Sequence, residues 1–221
     1  MELILGIDDA GRGPVVGPMI LAGCLMTDKA AKELKRMGVK DSKDLTHKRR
    51  EHLVEKIKEK SEAYEVVIAN PRDIDNSLEN GTNLNEVEAK KAAEIINKIN
   101  KGFGKIKVIL DCPSVSRVKW RESLLMKLEN MSNLEIVCAH KADRDFTPVA
   151  AASILAKSQR EAEMKKIREQ FGDGVGSGYS SDDTTSRFVR ENAEKHKDSG
   201  IFRRTWETWK VSFRERVQKK L

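Results

Sequence analysis

The chain has 221 residues, 38% hydrophobic and 35% charged, which suits one folded domain with a modest appendage and excludes a disordered polymer. Its formal charge of +7 and isoelectric point near 9.2 favour a polyanionic partner, although a charge kept for solubility gives the same sum. The longest apolar stretch, residues 15–26, is broken by Gly17, Pro18 and Gly23 and cannot span a bilayer, and the opening MELILGIDDAG lacks the basic start of a secretory leader, so an intracellular, cytoplasmic protein is expected.

Residues 2–7 are short, apolar and bounded by Asp8–Asp9, which predicts a strand. A glycine-rich turn follows (Gly11, Arg12, Gly13, Pro14, Gly17), and residues 19–26 predict a second strand that closes a hairpin. Residues 28–36 and 48–60 have helix-favouring composition, and residues 62–69 predict a third strand ended by Asn70–Pro71. Asn83 with Glu86 matches a capping box and opens a helix whose apolar face is Val87, Ala92, Ile95, Ile96 and Ile99. Residues 105–110 predict a buried strand ending on Asp111, residues 120–128 a helix, and residues 134–139 another strand. Thr147–Pro148 starts a long helix, apolar and buried over 149–156, charged and solvated over 157–170. A Gly/Ser loop at 172–181 precedes two helical segments, 182–195 and 205–219.

Strands first and helices last predict a mixed α/β sheet with a C-terminal helical lobe. Residues 201–221 hold Arg203, Arg204, Lys210, Arg214, Arg216, Lys219 and Lys220 against Glu207 and Glu215, with Trp206, Trp209 and Phe213 interleaved. Two readings stay open: a segment lying along a phosphate backbone, or an amphipathic helix docking its aromatics on the core. The cysteines, Cys24, Cys112 and Cys138, form no C-x-x-C pair and read as buried free thiols rather than zinc ligands or a disulfide.

Four carboxylates stand out by position. Asp8 and Asp9 end the first strand, Asp111 ends the fourth, and Asp143 follows the fifth at the mouth of the long helix. Acids at the ends of adjacent strands can converge at one sheet edge, where mutual repulsion and burial call for a compensating cation. Oxygen ligands suit magnesium or manganese, and two such ions about 4 Å apart activate a water and stabilise a leaving oxygen in phosphoryl transfer. Taken one at a time, each aspartate reads by default as a loop cap or turn former, and the adjacent pair Asp8–Asp9 is less easily read that way. The glycines of the following turn allow close backbone approach to a phosphate or sugar hydroxyl, and Arg12 adds a charged fork. A tight hairpin with a solvent-facing arginine is the plainer reading. The spacing matches neither a dinucleotide fingerprint nor a P-loop.

The stretch Gly6-Ile7-Asp8-Asp9-Ala10-Gly11-Arg12-Gly13-Pro14 resembles the opening motif of ribonuclease HII, where the second acid is normally glutamate. Asp41-Ser42-Lys43-Asp44-Leu45, Asn83-Leu84-Asn85-Glu86, His140-Lys141-Ala142-Asp143, Ala151-Ala152-Ser153-Ile154-Leu155-Ala156-Lys157 and Gly176-Ser177-Gly178-Tyr179 resemble further blocks of that family. Arg203-Arg204-Thr205-Trp206 is similar to its late R-x-S-W, and the blocks run in order from residue 6 to 206, with the archaeal branch the better likeness.

The resemblance implies a ribonuclease H-like mixed sheet flanked by helices, a catalytic domain over residues 1–171, and a helical substrate-binding extension over 172–221 packed on it. It implies a metal site of Asp8, Asp9, Asp111 and Asp143 for Mg2+ or Mn2+. It also implies that the turn Gly11, Arg12, Gly13 holds the ribonucleotide's sugar–phosphate, and that Tyr179 stacks at the RNA–DNA junction. Lys43, Lys157 and Arg160 are candidate phosphate contacts, with solvated charge as the alternative, and His140 is expected to make a structural hydrogen bond.

The implied activity is endonucleolytic cleavage of the RNA strand of RNA–DNA hybrids, and at ribonucleotides embedded in duplex DNA, leaving 3′-hydroxyl and 5′-phosphate ends. The alternative is a hybrid-binding protein whose metal site is weakened because Asp9, one methylene shorter, stands where glutamate is usual. A nuclease acting on DNA structures is disfavoured by the Gly-Arg-Gly turn with Tyr179. A monomer is expected. The ending Gln218-Lys219-Lys220-Leu221 starts like a sliding-clamp peptide and stops, so clamp binding is not expected from it.

Overall fold

The structure, a computed structural model, describes residues 2–40 and 46–218. Every residue of strand β2 (Met19–Thr27) is buried, as its apolar run requires of an interior strand. It pairs antiparallel with β1 (Leu3–Ala10), which pairs on its other side, in parallel, with β4 (Ile106–Asp111). With β3 (Ala63–Ala69) and β5 (Leu134–Ala139) the order is β3-β2-β1-β4-β5, and β5 is parallel to β4. The parallel pairs need crossovers, and helices supply them. This is the mixed sheet flanked by helices that the sequence predicts.

Polar caps start several of these helices. Thr27 Oγ1 accepts from Ala30 N at the start of α1 (Asp28–Arg36), and Thr46 Oγ1 accepts from Arg49 N at the start of α2 (His47–Lys60). Two helices were not foreseen. The Asn70–Pro71 pair, which ends β3 as the sequence predicts, also opens α3 (Pro71–Glu79), where Pro71 sits in the first turn. The expected helical face around Val87 is α4 (Leu84–Ile99). α5 (Arg117–Leu125) starts earlier than expected because Ser116 caps it. The four-residue α6 (Ala142–Asp145), the second unforeseen helix, precedes α7 (Thr147–Phe171), whose residues 149–156 are all buried as expected. α8 (Asp183–Asn192) and α9 (Glu207–Gln218) complete the chain. Among the described residues no helix is long and apolar enough to cross a membrane.

The chain divides into two compact units. The first comprises Met1–Ala10, Ile20–Val67 and Asn85–Gln159. In it a Cβ on Gly23 would strike Ile95 of α4, and a Cβ on Gly6 would strike the Pro148–Val149 backbone, so both glycines seat helices against strands. Cys24 and Cys112 are buried and Cys138 half-buried, all free, and burial pushes the Cys24 thiol up to about 12 and that of Cys138 to about 11.

The second unit comprises Gly11–Met19, Ile68–Leu84 and Arg160–Leu221. Its core is built on Val15, Val16, Met164, Val175, Phe188, Val189, Phe202 and Trp209, with Trp206 and Phe213 packed against it. Trp209 and Phe213 stack with centroids 4.8 Å apart. The aromatic docking reading of the tail therefore holds. Arg203, one of the basic residues of that tail, is fully buried.

Candidate active site

The four acids belong to the first compact unit. Alternate residues of a strand share a face, so Gly6 and Asp8 of β1 face the same way, toward α7. Strand β1 runs past its expected end, and Asp8 and Asp9 lie within it, paired with Ala22 and Leu21 of β2. Asp8 is buried, accepts from the Asp9 N–H at 2.8 Å and receives a hydrogen bond from the Ser153 hydroxyl of α7. Burial, then the adjacent Asp9 carboxylate, pushes the Asp8 carboxyl well above its ordinary range. Asp111 adds to that push, and the bonds from Ser153 and Asp9 only partly oppose it.

Asp111 closes β4. Its Oδ1 accepts from the Ala142 N–H at 2.8 Å, and the Lys141 N–H also bonds this carboxylate. Lys141 supplies that N–H from a left-handed backbone, φ 57°, the only positive-φ residue other than glycine among those described. The same turn brings in Asp143, in α6. Burial raises the Asp111 carboxyl, and the Asp143 charge raises it further. His140 Nδ1–H donates to the Cys112 carbonyl at 2.8 Å, the structural bond expected of it. Repulsion thus links Asp9 to Asp8, Asp8 to Asp111, and Asp111 to Asp143. Among the described residues, however, no three acids, histidines or cysteines already stand at metal-holding spacing. Successive strand residues leave the backbone on opposite sides, which keeps Asp8 and Asp9 from forming a ready-made pair.

The glycine turn and Tyr179 belong to the second unit. Gly11 has φ 81°, and a Cβ there would strike the Arg160 side chain and lie 2.8 Å from the Pro18 carbonyl oxygen. Gly13 is exposed, and a Cβ on it would lie 3.8 Å from Cε1 of Tyr179. The Arg160 guanidinium lies 5.0 Å from the Tyr179 ring centroid and donates to the Ser177 carbonyl at 3.0 Å. Its Nε is buried with no partner among the described residues.

Asp182 and Thr185 of the α8 start tie down the loop carrying Tyr179. Asp182 accepts from Ser177 N (2.7 Å) and Thr184 N (3.0 Å), and the Ser177 N–H is the first cause holding its carboxyl down to about 2. Thr185 Oγ1 accepts from Gly178 N (2.9 Å) and donates to Val175 O (2.8 Å).

Of the remaining residues singled out in the sequence, Lys157 is half-buried on α7, one turn beyond Ser153 on the same helical face. Lys43 and its block lie outside the described residues. The sequence gives no role to Ser153, Asp75, Asp182 or Thr185, and it reads Arg203 and Trp206 only as part of a tail that lies along a phosphate backbone or docks on the core. The one available signal was that several of them fall inside the motif blocks.

A family model described as ribonuclease HII matches residues 5–209. The ribonuclease HII of Thermococcus onnurineus is 40% identical over 211 residues, covering 94% of this chain and 88% of that one. The solved ribonuclease H2 of Pyrococcus horikoshii is 34% identical with a TM-score of 0.86, covering 98% of this chain and 99% of that one. A solved PCNA:RNase HII complex from Archaeoglobus fulgidus matches at 35% identity and a TM-score of 0.80, covering 94% of each chain.

Proposed function

The chain belongs to the ribonuclease HII family and is a metal-dependent endoribonuclease, and on that premise we propose that it cuts the RNA strand of RNA–DNA hybrids, and at ribonucleotides embedded in duplex DNA, by a two-metal hydrolysis. The observation that carries this reading is the buried Asp8 carboxyl, crowded by Asp9 and Asp111. A buried acid under that repulsion is compensated most directly by a divalent cation, and the all-oxygen donor set of Asp8, Asp9, Asp111 and Asp143 suits magnesium or manganese. Held there, such ions would supply activation of the attacking water and compensation of charge on the leaving oxygen, consistent with 3′-hydroxyl and 5′-phosphate ends.

The chain's own residues do the rest. The Lys141 and Ala142 N–H groups orient Asp111, and Ser153 orients Asp8. Lys157 and Arg160 meet phosphates, the Gly11–Gly13 turn meets the ribose, and Tyr179 stacks at the junction. We propose the residue 1–171 and 172–221 division as a functional one, catalysis and substrate holding. Hydrolysis of one duplex carrying a single ribonucleotide, against an all-DNA control, tests the reading: cleavage next to the ribonucleotide with magnesium or manganese is expected, and no cleavage with either ion overturns it.

One observation favours a second reading. Asp9 is one methylene shorter than the glutamate usual at this place in the motif, and a site weakened by that shortening would leave a hybrid-binding protein. Binding without turnover in wild type, and turnover gained in Asp9→Glu, identifies that case. As for partners, the Archaeoglobus fulgidus complex with PCNA leans against the expectation of no clamp binding. Gln218 ends α9, and residues 219–221 lie outside the described ones.

A further inference from the structure

Arg203 is fully buried, yet it sits in a core where an apolar side chain would avoid the cost of desolvating a guanidinium. Its fork reaches three carbonyls of one short segment. Nε donates to Gly17 O at 3.0 Å, Nη1 to Arg12 O at 2.6 Å and Nη2 to Gly11 O at 2.5 Å. Three residues on, Trp206 Nε1 donates to Gly13 O at 3.0 Å, and the Arg203 guanidinium lies 4.9 Å from the Trp206 ring centroid. Four carbonyls of the turn are thus held by two side chains that lie about 190 residues further along the chain.

The segment bearing those side chains is itself anchored. Buried Asp75 of α3 accepts from Arg204 N (2.7 Å), Thr205 N (3.0 Å) and Thr205 Oγ1 (2.6 Å). Each of these residues belongs to the second compact unit.

The consequence follows from peptide geometry. In a planar trans peptide a carbonyl and the next residue's N–H point in opposite directions, and the chain has no cis peptide among its described residues. Holding Gly11 O and Arg12 O toward Arg203 therefore turns the Arg12 and Gly13 N–H groups away from it. Two successive N–H groups aimed the same way form a concave donor site for an anion or hydroxyl oxygen. Gly13 is exposed and lies next to Tyr179.

We propose that Arg203, braced by Trp206, is a positioning residue for ribonucleotide selection: by holding the Gly11 and Arg12 carbonyls it aims the Arg12 and Gly13 N–H groups at the substrate's ribose 2′-hydroxyl and its phosphate, while the indole fixes the end of the turn through the Gly13 carbonyl, whose peptide leads to Pro14 and carries no N–H. This rests on the ribonucleotide-directed reading given above. Neither side chain touches substrate. Lysine in place of Arg203 keeps the charge but loses the planar fork that serves three carbonyls at once, and phenylalanine in place of Trp206 removes the bond to Gly13 while keeping an aromatic, though smaller, ring against the core and beside the Arg203 guanidinium.

The test measures binding in EDTA to two duplexes that differ by a single 2′-hydroxyl, for wild type, Arg203→Lys and Trp206→Phe, with thermal unfolding run alongside. A loss confined to stability weakens both complexes alike, whereas a misaimed turn changes their ratio. The preference for the ribonucleotide duplex is expected to fall about fivefold in Trp206→Phe, the effect of one hydrogen bond, and by more than about tenfold in Arg203→Lys. If Arg203→Lys does not fold, Trp206→Phe decides alone. Folded variants that keep the wild-type preference overturn the positioning role. A wild type with no preference overturns that role together with the reading beneath it.

Discussion

Replacing Gly6 by alanine tests whether the placement of Asp8 depends on close contact between β1 and α7. Gly6 pairs with Cys24 on one side and Ile109 on the other, so the strand cannot shift sideways. An added Cβ meets the Pro148 carbonyl carbon and oxygen and the Val149 nitrogen, all backbone atoms, so no side chain can rotate out of the way. Overpacking typically costs about 1–3 kcal/mol, and an obstacle made of helix backbone puts Gly6→Ala near the top of that range, about 3 kcal/mol. For a chain of this size each kcal/mol shifts Tm by roughly 2–4 °C, so a fall of roughly 6–12 °C is expected. Ser153 lies four residues beyond Val149, about 6 Å along the helix, so the displacement also stretches its bond to Asp8 and lowers cleavage. Thermal unfolding followed by circular dichroism, paired with a hybrid cleavage assay, reads both effects. A Tm within about 2 °C of wild type with full cleavage would refute the seating of α7 on Gly6.

Three further perturbations probe the rest of the molecule. Tyr179→Ala removes a stacking ring worth about 1–3 kcal/mol, so cleavage at a single embedded ribonucleotide is expected to drop by roughly one to two orders of magnitude, and equal rates for the two proteins would sink the stacking role. Asp8 has a folded pKa above its unfolded value, so its contribution to stability is full below pH about 4 and is lost as pH rises through the folded pKa. Asp8→Asn should accordingly raise Tm at pH 7 in EDTA, with the gain vanishing in acid; a variant no more stable than wild type at pH 7 contradicts the crowding. Asp182 shows the opposite sign, its carboxyl held down to about 2, so its contribution is present above pH about 4 and is lost as pH falls toward 2. Urea midpoints between pH 5 and 2 should drop less steeply in Asp182→Asn than in wild type, and parallel curves would show that the Ser177 and Thr184 bonds do not depend on its charge.

Most of the fold was legible because burial leaves periodic traces. The largely apolar run of β2 and the small, apolar first half of α7 announce their own surroundings. The misses came from local punctuation with two meanings. Asn70–Pro71 ends a strand and also starts α3, because proline stops β pairing yet suits a first helical turn. Asp8–Asp9 reads as the end of a strand because acids leave cores, but β1 carries both through to Ala10. What retains a buried acid there is partly the Ser153 hydroxyl, on a helix more than 140 residues later in the chain, and no window of sequence reveals such a bond.

The two halves of the site differ in how much of their chemistry sequence can carry. Carboxylates advertise themselves, since acids at strand ends are few and their repulsion has a direct remedy in a cation. Backbone recognition does not, because the atoms proposed to select the ribose are N–H groups that every residue but proline possesses. Only their orientation distinguishes them, and orientation is set by what holds the carbonyls on the other side of each peptide. Here that is a guanidinium from the far end of the chain, with an indole beside it fixing the Gly13 carbonyl that ends the turn. A count of charges treats Arg203 and exposed Lys210 alike. One is a buried fork ordering a turn and the other a solvated cation, and the difference between them is a fact of tertiary structure.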